Sequence, residues 1–339
     1  MIEKPSPGPG EILLKVTASG LCHSDEILMS MSPDKYDKYR FAIPQTLGHE
    51  PAGIVDELGA GVAGIEVGTP VIVYGCWGCG LCEMCADGSE NLCLRGMTAP
   101  GLGQPGAMAE YMLVDSVRHL VPIGDLAPVA AASLADAGLT PYQAIRSMVH
   151  RLAGGSTAVV IGAGGLGHVA IQLLRTLTAT RVVALDVTED KLALAQRMGA
   201  HDALISDRNA PSAIKRITSG RGADVVFDFV GTDATGKLAM MSCSPGASVV
   251  LLGAGGGGVH SQFSRGPANV SVSTSLWGRR KQLFELVTMA QRGQIEIQTQ
   301  CFSLDDTPKA YFLLKQGQIL GRAVVVPSSD VPSSEPSAE

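Results

Sequence analysis

Thr157-Ala158-Val159-Val160-Ile161 runs without a break into Gly162-Ala163-Gly164-Gly165-Leu166-Gly167 and on into His168-Val169-Ala170-Ile171-Gln172-Leu173-Leu174. The first five residues form the continuous apolar run of a strand buried on both faces. The last run, Leu166–Thr176, has helical apolar spacing. Between them stands G-x-G-x-x-G, and strand, glycine turn and helix in that order make a dinucleotide-binding fingerprint. Glycine is required because the backbone must turn sharply, let a pyrophosphate approach, and aim the first N–H groups of the helix at its charge. Gly162, Gly164, Gly165, Leu166 and Gly167 are therefore the expected cofactor contacts. Asp186, which follows the next apolar run, is placed to accept hydrogen bonds from adenosine ribose hydroxyls. Val187 and Thr188 come next, with no arginine to neutralise a 2′-phosphate, so NAD is expected rather than NADP.

Outward from this turn, apolar runs of five or six residues alternate with helical segments, the pattern of βαβ units and a parallel sheet. Strands are expected at Thr157–Ile161, Arg181–Leu185, Ala203–Ile205, Asp224–Phe229, Ala247–Leu252 and about Val270–Ser275, which completes a doubly wound six-stranded sheet. The glycine-rich stretch Gly253–Gly258 lacks the fingerprint and is expected as a loop near the cofactor. Upstream the chain looks mostly β, with short runs at Ile12–Val16, Gly53–Leu58, Pro70–Tyr74 and Glu110–Val114. A helix at Arg279–Gln291 leads to a short β end at Gly321–Val326, and the Ser- and Pro-rich residues 327–339 are expected to be disordered.

The chain has 339 residues, enough for two domains, and 45% of them are apolar, which excludes wholesale disorder. Its net charge of −6 gives no general attraction to phosphate backbones or anionic lipid, so no nucleic-acid or membrane partner is expected. The most apolar stretch is broken by glycines, His168 and Gln172, and the N-terminus lacks a basic segment followed by an apolar run. A cytoplasmic location is therefore expected.

Five of the eight cysteines fall between Cys76 and Cys93. Cys79-x2-Cys82-x2-Cys85-x7-Cys93 supplies four thiolates from one short lobe, enough to close a tetrahedral structural zinc site. The spacing before the fourth cysteine does not suit a ferredoxin-type cluster, and Leu94, not Pro, follows it. No Lys or Arg lies between Cys76 and Cys93, which argues against a nucleic-acid module. Cys76, Cys243 and Cys301 have no such pattern and read as small apolar residues.

Gly20-Leu21-Cys22-His23-Ser24-Asp25 and Gly48-His49-Glu50 offer a thiolate and an imidazole from separate loops, a weak signal for a second, open metal site. Taken in order with the cysteine lobe and G-x-G-x-x-G, however, G-L-C-H-S-D and G-H-E-x-x-G resemble the zinc-dependent medium-chain alcohol dehydrogenases over nearly the whole chain. The resemblance is greatest to bacterial NAD-dependent secondary-alcohol dehydrogenases. It implies a mostly-β GroES-like catalytic domain at 1–137, a Rossmann domain at 138–278 and a return to the catalytic domain at 279–326.

The resemblance also implies roles. Cys22, His49 and Asp136 would hold a catalytic zinc, giving two zinc ions per chain. Glu50 would stand beside that zinc, Asp25 would fix a ligand imidazole, and Ser24 would begin a proton relay. Thr140 would contact the nicotinamide and Arg322 the pyrophosphate. Trp277 and Leu276 suggest an apolar substrate pocket. The expected reaction is hydride transfer between NAD and a secondary alcohol or its ketone, with a polyol, sugar or amino-alcohol substrate as the alternative, in a homo-dimer or homo-tetramer. Ile27 replaces the histidine that ends the relay in liver-type enzymes, so the last proton acceptor is open. The residues before Glu11 also fall short of the first strand or hairpin of relatives, so an exposed sheet edge is expected there.

Overall fold

Strand β1, Ile12–Gly20, buries Ile12, Leu14 and Val16 on one face, where they pack with Val55, Val71, Val73, Met112 and Val114. Alternate residues of a strand share a face, which is why this i, i+2 pattern can fill one side of a sheet. In the computed structural model, residues 3–32, 34–35, 43–262, 264 and 266–327 are described. Apart from Pro327, the tail expected to be disordered lies outside them.

The chain divides into two units, Met1–Leu139 with Gly278–Glu339, and Thr140–Trp277. The first unit continues from β1 with β2 (Glu50–Leu58), β3 (Pro70–Val73), the two-residue strands β4 (Ala99–Pro100) and β5 (Gly103–Gln104), β6 (Tyr111–Val114) and β7 (Leu120–Pro122). Its helices in this part are α1 (His23–Met29), α2 (Glu83–Ala86) and α3 (Pro128–Ala132).

The second unit opens on α4 (Leu139–Met148), whose first residue belongs to the first unit. It then alternates β8 (Thr157–Ile161), α5 (Gly167–Leu177), β9 (Arg181–Asp186), α6 (Glu189–Arg197), β10 (Asp202–Ile205), α7 (Ala210–Ile217), β11 (Ala223–Asp228), α8 (Asp233–Ser242), β12 (Cys243–Leu251) and β13 (Ser271–Thr274). Its strands pair in the order β10-β9-β8-β11-β12-β13, every pairing parallel. That is the doubly wound dinucleotide order with its switch point between β8 and β11. β8 is buried at all five positions, because it sits mid-sheet under helices on both faces. β12 starts four residues before its expected position. Ala223 pairs with Cys243, and the register then shifts across Pro245-Gly246, a pair that reads as a turn in sequence but forms a bulge inside the strand.

The chain returns to the first unit through α9 (Arg280–Gln291), β14 (Thr299–Ser303), α10 (Thr307–Lys315) and β15 (Arg322–Val326). The large sheet runs β14-β15-β1-β2-β3-β7, with β6 also on β1. The exposed edge expected at the N-terminal side does not occur at β1. That strand is bonded to β2 on one side and to β6 and β15 on the other. No described helix is long and apolar enough to cross a membrane.

Candidate functional site

β1 and β2 both extend beyond their expected limits, and the extensions build the site. Ser19 pairs with Pro51 and Gly20 with Glu50. Cys22 and His49 therefore leave the ends of two hydrogen-bonded strands rather than separate loops, as the sequence suggested, and their backbones are fixed by the ladder. Gly20 is required here: a Cβ on it would fall on the Glu50 carboxylate and Ser133 Oγ. Beyond Gly20 the chain is tied to the returning strand by Leu21 N–H on the Ala323 carbonyl at 2.9 Å. Cys22 caps α1, and Asp25 turns back to accept the Cys22 N–H at 3.0 Å. Asp136 arrives from the turn after α3, at the end of a 3-10 segment, Ser133–Ala135.

Sγ of Cys22, a ring nitrogen of His49 and a carboxylate oxygen of Asp136 all lie within 4.8 Å of one another, and all three residues are buried. Asp136 Oδ2 is the meeting point, 3.5 Å from Cys22 Sγ and 3.5 Å from His49 Nε2. On the other side of the ring, His49 Nδ1 lies 3.0 Å from Asp25 Oδ1, so the carboxylate holds the proton on Nδ1 and Nε2 is the nitrogen turned toward the cluster. Ser24 Oγ is 3.5 Å from Cys22 Sγ and half-buried.

Three buried carboxylates, Asp25, Glu50 and Asp136, surround this point, against one buried guanidinium, Arg322. The field shows in the titrations. Burial disfavours the His49 imidazolium, yet the Asp25 charge and bonds to Asp136, Asp25 and Cys22 outweigh it and hold its pKa well up. A buried cluster of thiol, imidazole and carboxylate that stabilises positive charge is chemically suited to a divalent cation.

Arg322 turns toward the cluster from the start of β15. Expected on a pyrophosphate, it is 3% exposed and donates from Nε to Glu50 Oε2 at 3.0 Å and from a terminal nitrogen to Glu50 Oε1, and it reaches Asp136 Oδ2 at 3.4 Å. Glu50 also accepts the Ala137 N–H at 3.0 Å and is fully buried. Desolvation raises its carboxyl pKa, with the Arg322 charge acting against it. Glu50 is thus held behind Asp136 by three donors.

In the cysteine lobe, Cys79, Cys82, Cys85 and Cys93 also bring their sulfurs within 4.8 Å of one another. Backbone N–H groups of Cys85 and Leu94 hold the Cys82 thiol down at about 6, already a thiolate near neutrality. Gly78 must be glycine, because a Cβ there would lie 2.8 Å from Cys85 Sγ. Its peptide is clamped at both ends: Glu90 accepts its N–H at 3.0 Å and Arg118 donates to its carbonyl at 2.7 Å. His119, fully buried, stacks on Trp77 with ring centroids 5.2 Å apart, and its nitrogens face Asp115 at 2.6 Å and Glu90 at 3.4 Å. Arg118 and His119 reach the lobe from beyond Cys93, where spacing arguments give no signal.

In the second unit the fingerprint turn has the required backbone. Gly162 takes φ 87°, and a Cβ on Gly167 would fall on the Gly162 carbonyl. Gly164, Gly165 and Leu166 complete the turn ahead of α5. Asp186 is buried, and its oxygens accept the N–H groups of Ala163 at 2.8 Å and Val187 at 2.7 Å. It therefore braces the turn from the end of β9. Thr140 is buried in the first turn of α4. Trp277 is buried at a left-handed φ of 47°, while Leu276 beside it is 54% exposed, so the pair does not share one apolar environment.

Residues 8–125 match the alcohol dehydrogenase GroES-like domain family and residues 165–292 the zinc-binding dehydrogenase family. A D-arabinose 1-dehydrogenase (NADP(+)) of Saccharolobus solfataricus is 34% identical over 95% of this chain and 92% of its own. An NAD-dependent alcohol dehydrogenase of Sulfurisphaera tokodaii is 32% identical over 95% of this chain and 94% of its own. Among solved structures, the alcohol dehydrogenase of the archaeon Aeropyrum pernix superposes with a TM-score of 0.90 at 33% identity, covering 96% of this chain and 95% of that one.

Proposed function

Since the chain belongs to the zinc-dependent medium-chain alcohol dehydrogenases, we propose that it oxidises a secondary alcohol to its ketone with NAD, and catalyses the reverse. Cys22, His49 and Asp136 would hold a catalytic zinc, and Cys79, Cys82, Cys85 and Cys93 a structural one. The observation that carries this reading is the convergence of three buried donors of different type on one point, with Asp25 fixing the imidazole from behind. Four thiols make a closed site, whereas three donors leave a position for substrate.

Zinc at the three-donor site would supply Lewis acidity, bringing the substrate hydroxyl pKa down toward neutrality. The protein's own part is positional. Asp25 holds the proton on His49 Nδ1, so that Nε2 is the nitrogen offered to the metal, and Arg322 with Ala137 N–H engages Glu50 while Asp136 faces the other two donors. Ser24 Oγ, beside Cys22, is the group suited to accept the substrate proton and pass it outward. The glycine turn supports NAD because it offers backbone N–H groups at a helix N-terminus and no space for a Cβ at Gly167. Asp186 supports NAD over NADP, since a 2′-phosphate would meet its charge with no arginine at 187 or 188.

A sugar substrate is the second reading, favoured by the arabinose dehydrogenase relative. A panel of primary, secondary and polyhydroxylated alcohols and aldoses, each with NAD and NADP, separates the two by following cofactor reduction. Highest kcat/KM on a simple secondary alcohol with NAD is expected. Turnover confined to aldoses with NADP would replace this reading with the second.

A further inference from the structure

We propose that Tyr311 is a positioning residue of the three-donor metal site, its hydroxyl fixing the Asp25 carboxylate that in turn orients the His49 imidazole. The proposal rests on the assignment of Cys22, His49 and Asp136 as zinc ligands.

Tyr311 lies on α10, in the segment that returns to the first unit, and its hydroxyl donates to Asp25 Oδ2 at 2.9 Å. The ring itself sits in an apolar cluster with Leu21, Phe302, Ala310, Leu314 and Val325. A phenylalanine would fill that place equally well, so packing does not account for the hydroxyl. Its burial and the neighbouring Asp25 charge push the phenol pKa far up, so it stays protonated and can only donate in this contact.

Asp25 is fully buried and has three donors to arrange. The Cys22 N–H and the Tyr311 hydroxyl share Oδ2, at 3.0 and 2.9 Å, and Oδ1 faces His49 Nδ1 at 3.0 Å. Two donors on Oδ2 fix the rotation of the carboxyl plane, and that plane sets where Oδ1 points. The chain Tyr311–Asp25–His49 therefore joins the last helix to a metal ligand near the start of the sequence. Without the phenol, Oδ2 keeps one donor, the Cys22 N–H, and the imidazole loses part of its alignment. Groups of this kind behind a ligand commonly change metal affinity by about 10- to 100-fold.

The test uses full-length zinc-loaded protein and Tyr311→Phe, which removes one oxygen. Zinc release to a chromogenic chelator is followed as two phases, with Cys22→Ala identifying the phase of the three-donor site and the four-cysteine site as internal control. Tyr311→Phe should speed release from the three-donor site about tenfold, leaving the other phase unchanged. In an Asp25→Asn background the same substitution should add little, because the relay is already broken. Equal release from wild type and Tyr311→Phe would overturn the proposal, as would an undiminished effect in the Asp25→Asn background. If wild type carries only the zinc of the cysteine lobe, the underlying assignment fails instead.

Discussion

Replacing Arg322 by methionine should destabilise the first unit in a way that depends on pH. The guanidinium is nearly the whole counter-charge of Glu50, which is fully buried and otherwise holds one neutral donor, the Ala137 N–H. Removing one member of a buried pair commonly costs about 3–5 kcal/mol. Here a ceiling applies, because Glu50 can take a proton instead. Holding a carboxyl of normal pKa near 4.3 protonated at pH 7 costs about 1.36 kcal/mol for each of about 2.7 pH units, or roughly 3.7 kcal/mol.

The sign follows from linkage. Burial already raises the folded Glu50 pKa above its unfolded value, and loss of Arg322 raises it further. The native variant then binds a proton that the unfolded chain releases, so its stability is greatest at low pH and falls as pH rises above about 4.3, by about 1.4 kcal/mol per unit. Urea unfolding of zinc-saturated wild type and Arg322→Met should differ by about 3–4 kcal/mol at pH 7 and by about 1 kcal/mol at pH 5. Adding Glu50→Gln to the variant should recover most of the loss at pH 7. A difference that is the same at both pH values, or no recovery from Glu50→Gln, would refute the buried-pair reasoning.

Asp136→Ala should lose zinc from the three-donor site and nearly all turnover, whereas Glu50→Gln, altering a group held behind the metal by Arg322, should retain both zinc equivalents; metal analysis beside initial rates checks each. Asp186→Ser should narrow the preference for NAD over NADP by about tenfold in kcat/KM, since it removes the charge that would oppose a 2′-phosphate. Gly167→Ala should weaken NAD binding and cost about 1–3 kcal/mol of stability, because its methyl group must displace the Gly162 carbonyl; cofactor titration by fluorescence and thermal unfolding test both.

The second unit was legible in the sequence because its signals are local. A continuous apolar run such as Thr157–Ile161 and the glycine turn after it depend on neighbours within about ten residues. The donors Cys22, His49 and Asp136 were legible through the family resemblance, not from spacing. What stayed hidden depends on pairings between distant strands. Glycine and proline punctuate the sequence between Val16 and Gly53, where β1 is expected to end and β2 to begin, yet Ser19-Gly20 on Glu50-Pro51 continues the ladder and frames the site. Arg322 lies 272 residues from the carboxylate it neutralises, Tyr311 lies 286 from Asp25, and no periodicity spans such distances. Arg118 and His119 reach the cysteine lobe across shorter gaps in sequence, which no local pattern marks either.

The position of β15 sets a timetable for synthesis. β1 takes β15 as a partner through Ser19 and Gly20, and β15 carries Arg322. A ribosome adding about 5–20 residues per second needs roughly 15–60 s to travel from Gly20 to Arg322. During that interval Glu50 has been made but its arginine has not, and Asp25 has no Tyr311. The contiguous residues Thr140–Trp277 emerge complete in the meantime and can fold first. The nascent chain thus carries an unfinished sheet and an unneutralised acidic cluster for most of its time on the ribosome. A chain cut short before Tyr311 would hold Cys22, His49 and Asp136 without the tyrosine on Asp25 or the arginine on Glu50.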